Sequence, residues 1–151
     1  MKNLNIFKST IFSLVVSTAM VSCGKYEEGP KLSLASKKSR LENKWHIESQ
    51  TKNGVAQSVD ADDRDDILEF TKDGQVRVFD PTDNPSNVTS GTWVWANDKE
   101  AITTVFTSSA AGFSFSYTQT STIKRLTKDE LWYEYTDTNG NIYFEKYSGN
   151  D

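Results

Sequence analysis

A chain of 151 residues with 36% hydrophobic and 25% charged side chains is sized for one domain, too apolar for a disordered segment and too polar for a bundle of membrane helices. One cysteine and one histidine exclude a disulfide framework and any metal site built from several thiolates or imidazoles of one chain. A net charge of −4 lacks the basic face that nucleic acid requires.

The chain opens with Lys2 and Lys8 and no acid, followed by the short apolar run from Ile11 to Val21 and then Ser22-Cys23. Ser13, Ser17 and Thr18 interrupt that run, which is too short for a membrane-spanning helix, so residues 1–22 read as a secretory leader. Met20-Val21-Ser22-Cys23 resembles a bacterial lipobox, although leucine is more usual at the position of Met20. That resemblance implies cleavage before Cys23 and acylation of its thiol, with membrane attachment through the lipid. Gly24 stands where an aspartate retains many such lipoproteins at the inner membrane, so the outer membrane is the expected location. The leader holds two lysines and no acid, so the mature part is more acidic than the whole, and anionic lipid would repel it. Residues 23–40, with Lys31, Lys37, Lys38 and Arg40 among serines, read as a solvated tether with one helical turn near Ser36–Leu41. The folded domain is placed at 41–151.

From Lys44 the pattern turns to period two, with turn residues at short intervals. Trp45 and Ile47 alternate with His46 and Glu48; Asn53-Gly54 turns; Leu68 and Phe70 form the next apolar face; Lys72-Asp73-Gly74 turns; Val76 and Val78 follow. Pro81 and Pro85 make 80–86 a loop. Trp93 and Trp95 share one face, with Val94 opposite; Asn97-Asp98 turns; Ile102, Thr104 and Phe106 come next. After a turn at 108–112, Phe113, Phe115 and Tyr117 share a face, and 118–126 continues as strand with a bulge that separates Ile123 from Leu126. Leu131, Tyr133 and Tyr135 share the next face, Thr138-Asn139-Gly140 is a hairpin turn, and Ile142 and Phe144 close the inward set. Trp132, Tyr143 and Tyr147 fall out of phase with it and are expected on the outside. About eight antiparallel strands with short sequential connections and no sustained helical period predict an all-β fold, an up-and-down β-barrel or half-barrel.

Pro30 to Leu41, Trp45, Asn53-Gly54, Asp65-Asp66 before Ile67 to Phe70, Lys72-Asp73-Gly74, Gly91-Thr92-Trp93 and Leu126 to Trp132 together resemble the small lipocalin-like lipoproteins of Gram-negative bacteria. The resemblance spans 30–147 and is carried mostly by turns and core positions. Lipocalins open with glycine two residues before the first tryptophan; here Asn43 takes that place, and asparagine tolerates the positive φ that glycine would supply. The second lipocalin motif, Thr-Asp-x-x-Tyr, is absent, and Arg125 is the candidate for the arginine that stacks on the first tryptophan. The resemblance implies a small apolar ligand inside the barrel.

Chemistry is sparse. Asp60 to Asp66 gathers five carboxylates but lacks the spacing of a calcium loop, so it reads as a solvated turn before a strand. His46 is an outward strand residue without a second ligand, and no nucleophile–base pairing, serine elbow or phosphate loop is present. The expectation is therefore a protein that is not an enzyme, without cofactor, metal or nucleic-acid partner. The residues expected to line an apolar calyx are Trp45, Phe70, Trp93, Trp95, Phe106, Phe115, Tyr133 and Phe144, with entry beside Trp93 and Trp95. The competing reading is a filled core, since side chains alone can fill a small barrel; the domain would then be a non-catalytic surface or assembly lipoprotein acting through protein contacts.

Overall fold

The computed structural model describes residues 35–83, 88–110 and 113–149; the leader and Cys23 lie outside them. Helix α1 (Lys37–Leu41) precedes strands β1 (Lys44–Lys52) and β2 (Val55–Gln57), helix α2 (Ala61–Asp65), and strands β3 (Ile67–Phe70), β4 (Gln75–Phe79) and β5 (Thr89–Ala96). A 3₁₀ turn (Asn97–Lys99) leads into β6 (Ala101–Ala110), β7 (Phe113–Leu126), β8 (Glu130–Thr136) and β9 (Ile142–Gly149). Each of β3 to β9 pairs antiparallel with its neighbour in sequence, β1 pairs with β3, and β1 with β9 closes the barrel. The expected up-and-down barrel of eight strands is thus present. The ninth strand, β2, is short and was not distinguished in the sequence. It folds back on the end of β1 through Asn53 and Gly54, whose φ values of 51° and 79° suit the tight hairpin turn that strand twist favours.

Two bulges adjust the register. One lies in β1 between Ile47 and Ser49, and the expected one in β7 lies between Ile123 and Arg125. Each inserts a residue, so Ile47 and Gln50, and Ile123 and Leu126, can both point inward at a spacing of three.

One end of the barrel is filled. Ser36 caps α1 by accepting from the Ser39 N–H, and Leu41 enters the core with Trp45, Val76, Trp93, Ile102, Leu126 and Leu131. The Trp45 indole donates to the Leu41 carbonyl at 3.1 Å, and the Trp93 indole to the Thr71 carbonyl at 3.2 Å, so both rings are buried without an orphaned donor. Arg40 is buried and donates to the Leu126 carbonyl at 3.0 Å, so the folded unit includes α1, four residues of which were assigned to the tether. Gly91 is required by packing. A Cβ there would stand 2.3 Å from the Val105 carbonyl oxygen on the paired strand.

Two expectations from the resemblance are corrected here. Asn43 does not adopt a positive φ; its side chain instead accepts from the Lys44 N–H at 2.8 Å and donates to the Lys128 carbonyl at 3.1 Å, which ties the start of β1 to the β7–β8 turn. Arg125 bonds Glu130 at 2.6 Å and lies 5.1 Å from the centre of the Trp132 ring, so it serves Trp132 and not Trp45.

Candidate functional site

Above the filled end the barrel holds a cavity of about 320 Å³, within the range of small-ligand sites. Its apolar wall comes from Ile47, Leu68, Phe70, Val78, Ile102 and Phe106. Its polar wall comes from Gln50 of β1, Gln119 and Ser121 of β7, Tyr133 and Tyr135 of β8, and Glu145 and Tyr147 of β9. Ser58, Val59, Asp63 and Asp66, around α2, complete the lining. The acidic run expected as a solvated turn is therefore partly a short helix, with two of its carboxylates at the cavity.

The polar wall is one hydrogen-bonded cluster. Glu145, 5% exposed, accepts from the Gln50 amide at 2.6 Å and the Tyr135 hydroxyl at 3.0 Å on Oε1, and from the Tyr147 hydroxyl at 2.7 Å on Oε2. Tyr133 donates to the Tyr147 hydroxyl at 3.0 Å, and the two rings stack with centroids 5.3 Å apart. Tyr143 continues the stack on Tyr135, at 5.1 Å. Burial first, and then the negative charge of Glu145 and the neighbouring phenols, pushes the Tyr133, Tyr135 and Tyr147 hydroxyls above the ordinary tyrosine range. They therefore stay protonated and act as donors.

Of the eight residues expected to line a calyx, Phe70, Phe106 and Tyr133 do so. Trp45, Trp93 and Trp95 do not. They pack at the filled end, where Trp93 meets Phe70 and Trp95 edge-on, so entry beside Trp93 and Trp95 is overturned. Phe115 is 66% exposed, because the β6–β7 hairpin runs past the strands on either side: β6 meets β5 only up to Phe106, and β7 meets β8 only from Thr122. Tyr117 and Gln119, lower on the same overhang, reach the cavity.

Phe144 lies on the outer face, edge-on to Trp132, with the Lys146 ammonium 4.0 Å from the Trp132 ring centre. The inward positions of β9 are Tyr143, Glu145 and Tyr147, the reverse of the expectation. The cause is a shift of one residue in the turn. Asp137 and Asn141 pair across Thr138-Asn139-Gly140, with Gly140 at φ 82° and the Asp137 carboxylate accepting from the Asn139 and Asn141 N–H groups. The Asn141 side-chain amide, which donates to the other carboxylate oxygen at 2.9 Å, and then those N–H bonds hold the Asp137 carboxyl below its ordinary pKa. A two-residue Asn139-Gly140 loop would have put Tyr135 opposite Phe144; the longer loop puts it opposite Tyr143.

The interior is consequently more polar than the sequence suggested, and Gln50, Gln119, Ser121, Glu145 and Tyr147 are polar lining residues that the sequence reading missed. A scan against protein-family models finds no matching family, and a search of curated proteins finds no match to the chain.

Proposed function

We propose that the chain is a lipocalin-like lipoprotein, anchored to the outer membrane through an acylated Cys23, whose barrel binds a small amphipathic molecule. The observation that carries the binding reading is the cavity of about 320 Å³ with one apolar and one polar wall. A molecule with an apolar body on Leu68, Phe70 and Phe106 would be driven in by burial at about 25 cal/mol per Å². The polar wall would fix its orientation.

A filling variant tests the binding reading. Val78→Trp inserts an indole into the cavity wall and is expected to weaken saturable binding of n-octanol to the Cys23→Ala chain more than tenfold, as read by calorimetry. Equal binding by both chains places the octanol elsewhere and removes the cavity from the reading.

The anchor rests on the lipobox-like Met20 to Cys23. Intact mass of the membrane-extracted protein is expected to show a chain starting at Cys23 with added acyl mass, and Cys23→Ala is expected to abolish that species. A chain that keeps Met1 to Ser22, or an unmodified Cys23, contradicts it.

A further inference from the structure

A ligand held only through its apolar body does not account for Glu145. Leucine at that position would hold such a ligand as well, without the cost of taking a carboxylate out of water. The protein instead buries the carboxylate in the cavity wall, and among the described residues its hydrogen-bond donors are neutral: the Gln50 amide and the Tyr135 and Tyr147 hydroxyls. Among the described residues no lysine, arginine or histidine lines the cavity, and Asp63 adds a further acidic group.

The acceptor count points the same way. An ionised carboxylate offers about four lone-pair positions. Oε1 of Glu145 uses two of its own, on Gln50 and Tyr135, and Oε2 uses one, on Tyr147. One acceptor position on Oε2 is left for a donor from the cavity. The tyrosines stack on one another and bond to the carboxylate, which holds Glu145 in place before any ligand arrives.

We infer that the cavity takes an organic cation, an amine whose ammonium group sits against Glu145 and whose apolar body runs along Leu68, Phe70 and Phe106. This rests on the cavity being a ligand site. The ammonium supplies both the missing N–H donor and the missing positive charge, and an ion pair with a desolvated carboxylate discriminates strongly against neutral and anionic analogues.

Three probes of one chain length separate charge from shape: n-octylammonium, n-octanol and octanoate, titrated calorimetrically into the Cys23→Ala chain. Octylammonium is expected to bind at least about tenfold tighter than octanol, with octanoate weakest. Glu145→Gln keeps the shape and removes the charge, and is expected to bring octylammonium to the level of octanol. The ranking on the parent chain stands even if that variant fails to fold. Octanol equal to octylammonium, or octanoate tightest, overturns the cation inference and leaves the cavity a ligand site. Saturable binding of none of the three overturns the site as well.

Discussion

Trp45→Ala is expected to destabilise the barrel by about 3–5 kcal/mol, the range for removing a large buried aromatic side chain. Trp45 is 0% exposed and lies where β1 begins, and its indole bond to the Leu41 carbonyl holds α1 over the filled end. Truncation opens a void among Leu41, Leu126 and Leu131, and it also frees the helix that covers them. Trp93→Ala is expected to cost a similar amount, because its ring meets both Phe70 and Trp95. Val94, between them in sequence, is 60% exposed, and Val94→Ala is expected to stay within about 0.5 kcal/mol. Urea melts check the ranking; a larger loss from Val94→Ala than from either tryptophan would mean that β5 presents its other face to the core.

The second large effect is alkaline. Tyr133, Tyr135 and Tyr147 hold their protons in the fold beyond the ordinary value of 10.0, mainly through burial and then through the charge of Glu145 and neighbouring phenols. In the unfolded chain they ionise near that value. Below pH 10 both states keep the protons and this contribution to stability is fully present. Above it the unfolded chain releases protons that the fold retains, and stability falls by up to about 1.4 kcal/mol per pH unit for each of the fully buried Tyr133 and Tyr147, and by less for the half-buried Tyr135, where solvent screens the charge. The two buried tyrosines acting together make the loss steep. Tyr133→Phe removes one of them and leaves the Tyr147 bond to Glu145 intact. Between pH 9 and 11 the variant is expected to lose about 1.4 kcal/mol less stability than the parent in urea melts. Equal slopes for the parent and the variant would show that the Tyr133 hydroxyl is not protected in the fold.

The barrel was legible because alternation survives wherever one face is much more apolar than the other. In β5, Trp93 and Trp95 face Val94 and Thr92, and the parity is plain. In β9 it is not: Ile142 and Phe144 compete with Tyr143 and Tyr147, and a charged residue, Glu145, occupies an inward position. There the turn decides, and Thr138-Asn139-Gly140 can be read as a loop of two residues or of three. The Asp137 side chain selects the longer loop, and the whole strand rotates by one face. The inward set of β8 contained the correcting signal, since cross-strand partners share a face and Leu131, Tyr133 and Tyr135 meet Tyr147, Glu145 and Tyr143. Gln50 was hidden for a related reason, because the β1 bulge at Glu48 shifts the parity beyond Ile47. The tryptophans drew attention as the bulkiest apolar groups, yet bulk fills space. The cavity lies where the side chains are smaller or polar.

Intermolecular nuclear Overhauser effects between n-octylammonium and the isotopically labelled Cys23→Ala chain test the cavity most directly. The expected contacts join the octyl chain to Leu68, Phe70 and Phe106, with the methylene next to nitrogen nearest the Tyr135 and Tyr147 rings. Contacts confined to the outer aromatic pair, Trp132 and Phe144, would place the amine on the surface and contradict a ligand-binding interior.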